Sequence, residues 1–364
     1  MKVSIISSDT FIRKNLVENL KNIQDGKNRT RPNLSISDIY LNEVNDADTI
    51  IMLPGAEIVS GLTASKKNIF ISPLNGCEDE AKLPVGSLIY RLPEIVGKWQ
   101  GREGKVPELC YAIANDEEYA VEPTKTVNLL FVEDFVEEML DALEDNLHRC
   151  DFPAVGEFSS DFTAPYDGIT PLPNKDGKYC YSPKMISTTL GKIENYLKSF
   201  NKLHSTLVVP EIPAGSLAYK LFSMYLSFLP ERKMSYPVKM SVDNRGVFTE
   251  LVKTTNSGQV SINIARPGNV RGQHWHNTKW EIFIVVSGHG LIQEREIGTD
   301  KVINFEVRGE EMRAVIMLPG YAHNIINLEK DKDLVTVMFA NEQFNPECPD
   351  TFFEVVDESL GLNL

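Results

Sequence analysis

The chain has 364 residues, 42% of them apolar and 24% charged, and a formal net charge of −14. That length allows two domains with separate cores, the balance is that of a soluble globular protein, and so acidic a chain offers no basic face to a nucleic acid. The five cysteines are dispersed and form no CxxC pair, which fits neither a disulfide framework nor a zinc ribbon and points to a reducing, cytoplasmic setting.

The opening MKVSIISSDT has too short an apolar run for a secretory signal. No stretch approaches the roughly 18 apolar residues of a membrane helix. KVSII followed by DTFIRKNLVENLKNI reads as a buried strand running into a helix, with Phe11, Ile12, Leu16, Leu20 and Ile23 at helical spacing. DADTIIMLPG, KKNIFISP and GSLIYRLP read as further strands, and the alternation with helices predicts a parallel α/β sheet. TVNLLFVEDFVEEMLDALED is a strand, a turn and a helix. From CDFPAVGEFSS to NKDGKYCYSP the density of Pro, Gly and Asp predicts a loop or extended arm. SPKMISTTLGKIENYLKSFNKL reads as a helix capped by Ser182 with Pro183 in its first turn, and LAYKLFSMYLSFLP as another, closed by Pro230.

Beyond residue 234 the texture changes. GVFTELVKT, GQVSINIARPG, WEIFIVVSG, HGLIQERE, NFEVRG, RAVIMLPG, AHNIINL and LVTVMFANE are short apolar-rich runs punctuated by Gly, Pro, Asn and Asp. They predict an all-β sandwich or barrel. The expected division is therefore 1–234 and 235–364.

GNVRGQHWHNTKWEIFIVVSG holds two of the six histidines, one residue apart. Residues two apart on a strand point to one face, so His274 and His276 project together; Glu281 opens the next strand and His323, in PGYAHNIIN, comes from a later one. Three imidazoles and a carboxylate suit Zn²⁺, Fe²⁺, Mn²⁺ or Ni²⁺. Gly268, five residues, His274-x-His276, four residues, Glu281, six residues and Gly288 reproduce the first cupin motif. The second is looser: Gly320, His323 and Asn327 fit, but Pro319 adjoins Gly320 instead of preceding it by two.

SYPVKMSVDNRGVFTELVKT, GQVSINIARPGNVRGQHWHNTKWEIFIVVSGHG and NEQFNPECPDTFF closely resemble CapF-type (WbjC-type) capsular-polysaccharide enzymes. The resemblance covers nearly the whole chain. It implies a short-chain-dehydrogenase domain of Rossmann type followed by an all-β cupin barrel. It further implies a UDP-4-keto-6-deoxy-N-acetylhexosamine substrate, C3 epimerisation and zinc in the cupin domain, C4 reduction with NADPH in the first domain, and a homodimer.

The first domain departs from that pattern. Ser7, Thr10 and Arg13 occupy the glycine positions of the family's G-x-x-G-x-x-G turn, where a Cβ crowds out the dinucleotide diphosphate. Between IFISP and LIYRLP only LNGCEDEAKLPVGS stands, too short for the Y-x-x-x-K helix and without a tyrosine. NADPH is therefore not expected, and the domain reads as a degenerate reductase in which Tyr90, Arg91, Pro93, Gly97, Lys98 and Trp99 keep a folding role. The expected activity is C3 epimerisation of a UDP-2-acetamido-2,6-dideoxy-4-hexulose for a capsule or O-antigen, with the divalent metal, zinc by resemblance, on His274, His276, Glu281 and His323. Reduction then falls to a separate protein. Tyr321, two residues before His323, is the candidate acid or base together with Lys279; Lys279 and Arg271 flank the site as candidates for UDP phosphates. Two other readings stand beside this one: a bifunctional 3-epimerase and NADPH-dependent 4-reductase giving UDP-2-acetamido-2,6-dideoxy-L-talose, and a non-catalytic, metal-stabilised binding or assembly subunit.

Overall fold

The computed structural model describes residues 1–44, 46–151, 171, 173–256 and 258–358. It divides into two compact units, Met1–Lys198 with Pro213–Pro230, and Ser199–Ile212 with Glu231–Leu364. No described helix is long and apolar enough to cross a membrane.

In chain order the first unit contains β1 (Lys2–Ile6), α1 (Thr10–Gln24), β2 (Asp38–Leu41), β3 (Thr49–Met52), β4 (Lys67–Pro73), β5 (Leu88–Leu92), β6 (Glu94–Val96), α2 (Lys105–Asn115), β7 (Thr126–Phe131), α3 (Val132–Leu143), β8 (Arg149–Cys150), β9 (Tyr179–Cys180) and β10 (Ile186–Thr189). The main sheet runs β2-β1-β3-β4-β5-β9-β8, parallel from β2 through β9. β3 is buried along its whole length and β1 beyond Lys2, which is why they read as unbroken apolar runs: a parallel sheet is covered on both faces. α1 buries Phe11, Ile12, Leu16, Leu20 and Ile23, the face its spacing predicts. The α/β Rossmann-like character of this half follows from that order.

One expected helix starts late. Ile186–Thr189 pairs antiparallel with β7, and the helix begins only at Leu190. The run Ile-Ser-Thr-Thr is rich in β-branched residues, which favour a pleated, paired strand over a first helical turn. Of the expected loop between Cys150 and Pro183, residues 152–170 and 172 lie outside the described residues; its flanks, β8 and β9, pair antiparallel.

The second unit contains β11 (Val208–Val209), β12 (Met240–Asp243), β13 (Gly246–Thr254), β14 (Gln259–Ala265), β15 (Val270–Trp275), β16 (Glu281–Ser287), β17 (His289–Glu296), β18 (Val302–Arg308), β19 (Ala314–Met317), β20 (Tyr321–Asn327), β21 (Leu334–Ala340) and β22 (Phe352–Phe353). One sheet runs β11-β13-β14-β21-β16-β19 with β12 on β13, the other β18-β17-β20-β15-β22. Both contribute to one apolar cluster, in which Ala265, Phe283 and Leu334 meet Ile292 and Ile325. These are the two sheets of a cupin barrel. β14 alternates strictly, burying Gln259, Ser261, Asn263 and Ala265. Its interior face is thus apolar at the Ala265 end, opposite Leu334, and polar at the Gln259 end, opposite Ala340. Glu281 lies beside Ala340, so the polar end of the barrel is where the histidines converge.

Candidate metal centre

The antiparallel register of β15 and β20 sets His274 directly opposite His323. β15 reaches that register through a bulge between Gly272 and His274, with Gln273 at φ 61° and Gly272 at φ 98°. A Cβ on Gly272 would stand 2.8 Å from the His323 carbonyl oxygen, so only glycine allows the two backbones to approach here. β15 ends at Trp275, and His276 lies in the turn beyond it. That turn is held by Asp350: its carboxylate accepts the amides of Asn277, Thr278 and Lys279 at 2.8, 2.8 and 2.9 Å, and its carbonyl accepts the Nδ1 proton of His276.

The donor atoms of His274, His276, Glu281 and His323 lie within 4.8 Å of one another. Glu281 Oε2 is 3.4 Å from His323 Nε2 and 3.7 Å from His276 Nε2. His276, Glu281 and His323 are buried, and His274 is half-buried. His276 Nε2, Glu281 Oε2 and His323 Nε2 have no hydrogen-bond partner among the described residues. A buried polar atom left unpaired costs about 1–3 kcal/mol; three such atoms aimed at one point are what a cation would satisfy. Burial, reinforced by the neighbouring His323 and His276, pushes the His274 imidazole down to about 3. Burial pulls Glu281 upward, but His276, His323 and Lys279 outweigh it and hold the carboxyl well below its ordinary range. His274 therefore presents a free lone pair and Glu281 a carboxylate at neutral pH, the forms in which they ligate a divalent metal.

A cavity of about 290 Å³ opens on His274, His276 and Glu281. Its walls include Phe248 and Glu250 of β13, Ser261 of β14 and Met338 of β21, with Lys279 at the edge of the ligand set. Lys279 is 8% exposed and places Nζ 3.0 Å from Glu281 Oε1, the oxygen turned away from the histidines. Glu250, which sequence reasoning missed, is held by Lys253 at 2.8 Å.

Two other candidates are not among the residues that line this cavity. Tyr321 opens β20, half-buried, and is not among the residues lining this cavity. Arg271 is tied to Asp243 at 2.8 and 3.0 Å and does not line it either. Asp350 was equally invisible: it lies in PECPDTFF, 74 residues from the histidine it holds.

In the first unit, the β1–α1 turn is closed by its own side chains. Asp9 accepts the amides of Phe11 and Ile12 at 2.7 and 3.0 Å, Ser7 Oγ accepts the Asp9 amide, and Arg13 donates to the Ser7 carbonyl. The amides that greet a diphosphate at a Rossmann helix N-terminus are thus occupied by a carboxylate. Between β4 and β5 the chain makes one 3₁₀ turn, Glu78–Lys82, whose Glu80 pairs with Arg91 at 2.8 Å beneath Ser72.

A Rossmann-type unit joined to a cupin barrel with a His₃Glu cluster defines a two-domain class, and the comparisons agree. Residues 241–352 match the family model "Polysaccharide biosynthesis C-terminal domain". A crystal structure of CapF with the inhibitor 3-isopropenyl-tropolone superposes with a TM-score of 0.78 at 31% identity, covering 98% of this chain and 100% of that one. The capsular polysaccharide assembling protein CapF from Staphylococcus aureus does so at 0.76 and 29%, with the same coverage. The chain belongs to the CapF family. It is also 31% identical over 267 residues to a UDP-2-acetamido-2,6-beta-L-arabino-hexul-4-ose reductase of Pseudomonas aeruginosa; the match takes in 72% of this chain and 64% of the reductase's length.

Proposed function

We propose that this protein is a metal-dependent C3-epimerase of a UDP-2-acetamido-2,6-dideoxy-4-hexulose, acting through its cupin unit in the making of a surface polysaccharide. The observation that carries this reading is the cavity that opens on three of the four clustered donors, with two proton-carrying side chains, Lys279 and Glu250, in its walls. Membership of the CapF family and the likeness to the Pseudomonas UDP-2-acetamido-2,6-beta-L-arabino-hexul-4-ose reductase support the substrate class.

Epimerisation beside a ketone removes the C3 proton, holds an enolate and returns a proton to the other face. A divalent cation, zinc in this reading, held by His274, His276, Glu281 and His323, supplies electrostatic stabilisation of the carbonyl oxygen as it gains charge. Glu250 and Lys279 come from β13 and from the turn into β16, with β14 and β21 between those strands. At about 4.8 Å per strand their backbones stand roughly 14 Å apart, so they approach a ligand seated in the cavity from different sides. In this mechanism the Glu250 carboxylate takes the proton and the Lys279 ammonium returns one. Glu281 Oε1 anchors Lys279, which keeps the largely buried ammonium beside the ligand set. Phe248 and Met338 supply the apolar wall that excludes water.

The bifunctional reading draws on the name of the Pseudomonas relative. Against it stands Asp9, whose carboxylate occupies the helix amides a dinucleotide would need; we assign the C4 reduction to a separate protein. The test is conversion of the 4-keto substrate to its C3 epimer with no dinucleotide present, compared with the His274→Ala/His276→Ala variant. Conversion by the native protein alone supports the reading. No conversion by folded, metal-loaded protein overturns it and brings forward the non-catalytic subunit.

A further inference from the structure

The cavity on the metal centre measures about 290 Å³, at the lower edge of the roughly 300–1,000 Å³ of small-molecule sites. It offers room for a hexose ring at the donors, and a nucleotide attached to that ring has to leave through the opening. Building on the sugar-nucleotide reading above, we propose that Phe344 is the platform at that opening on which the uracil ring stacks. It sets the affinity for the sugar nucleotide and not the rate of its chemistry.

Exposure locates the opening. Of the residues lining the cavity, Phe344 and Thr351 are the exposed ones, Phe344 at 51%, whereas the rest are buried or half-buried. A side chain that both lines a cavity and meets solvent stands where the cavity opens. Both belong to the segment that leaves β21 at Ala340, itself in the wall. Ala340 pairs with Glu281 on one side and with Gln259 on the other, so Gln259, which holds the Phe344 amide, lies two strand spacings, roughly 10 Å, from Glu281. A UDP-sugar puts a diphosphate and a ribose between its reacting carbon and its base. With the sugar at the donors, the base therefore belongs at the opening.

Phe344 is exposed, yet its backbone is held. Its amide donates to Gln259 Oε1 at 3.2 Å, and the buried Gln259 places Nε2 on Ser261 Oγ at 3.3 Å. Beside it, Gln343 Nε2 donates to the Thr254 carbonyl at 2.7 Å, and Asn341 Oδ1 accepts the Trp280 amide at 2.9 Å. A buried amide side chain thus reaches out of the barrel interior to fix the backbone of a phenylalanine whose ring is left largely in water. Fixing that backbone in advance lowers the ordering cost of binding, and the ring offers a face that gains by being covered. A nucleobase covers such a face, and losing one stacked base weakens binding by about tenfold. Phe248, the cavity's other phenylalanine, is half-buried in β13 and forms part of the wall around the sugar.

The experiment places the reporter at the position itself. Full-length, metal-loaded Phe344→Trp, checked for native circular dichroism, is titrated with UDP, uridine and inorganic pyrophosphate while its fluorescence is followed, and the native protein supplies the background of its three tryptophans. UDP should quench the introduced indole, uridine should do so at higher concentration, and pyrophosphate should not. In turnover, Phe344→Ala should raise KM for the 4-keto sugar nucleotide about tenfold with kcat held, and Phe344→Tyr should restore the native KM. Quenching by UDP in a protein that does not epimerise would support this subsite while removing the epimerase reading, so the two fail separately. No quenching beyond background at millimolar UDP, quenching by pyrophosphate equal to that by UDP, or a native KM in Phe344→Ala would each overturn the proposal.

Discussion

Asp350 holds His276 from 74 residues away: its carbonyl accepts the imidazole Nδ1 proton while its carboxylate collects the three amides of the turn that follows. Fixing Nδ1–H leaves the Nε2 lone pair aimed at Glu281 and His323. Partners of this kind set the tautomer and the orientation of a ligand, and their loss costs about 10–100-fold in metal affinity. Asp350→Ala keeps the carbonyl but frees the turn, so zinc affinity measured by chelator competition should fall by at least the lower figure. Wild-type affinity in this variant would mean that the turn is rigid without its carboxylate.

Lys279 and Glu281 separate metal retention from chemistry. Lys279→Met removes a proton carrier but leaves all four donors, so metal content should stay at the native level while turnover falls about 10²–10⁴-fold. Glu281→Gln should instead release metal and leave Lys279 buried without its partner, a loss of roughly 3–5 kcal/mol in stability. Equal metal loss in the two variants, read by elemental analysis, would contradict this division of roles.

The buried pair Glu80–Arg91 makes the first unit acid-sensitive. Burial pushes the Glu80 carboxyl upward, but hydrogen bonds and charge from Arg91, with Ser72, prevail and hold it below its ordinary value. A carboxyl depressed in the folded state adds stability above its unfolded value of about 4.3; that stability is lost as pH falls through the lower folded value. Denaturation of Glu80→Gln should therefore show a flatter slope between pH 5 and 3, on a scale of about one proton. An unchanged slope would remove Glu80 as its source.

The β1–α1 turn gives a direct prediction for NADPH. With Asp9 on the amides of Phe11 and Ile12 and Arg13 folded onto Ser7, titration with NADPH should show no saturable binding in the micromolar range, the affinity expected of a working reductase. Micromolar binding would restore the bifunctional reading.

The four donors were legible in the sequence from their spacing, and strands fix three of them, while His276 lies in the turn beyond β15 where Asp350 holds it. His274 faces His323 across β15 and β20, and Glu281 opens β16; a strand period of two makes such spacings informative. What lay outside that periodicity was not legible. Asp350 acts from a segment distant in sequence, and Glu250 reaches the cavity from β13 through a cross-strand row whose register no local pattern announces. Arg271 looked free for a ligand because its partner Asp243 lies 28 residues earlier. The start of the helix at Leu190 was misplaced because Ser182 and Pro183 mimic a helix start, while pairing with β7 decides the conformation of Ile186–Thr189.

The most direct test is proton exchange at C3. The 4-keto sugar nucleotide is incubated in D₂O with the protein and no dinucleotide, and C3 is followed by NMR with and without prior removal of the metal. The account predicts deuterium at C3 together with the inverted configuration, both lost on chelation and restored by zinc. Folded, zinc-loaded protein that leaves C3 protonated would contradict it.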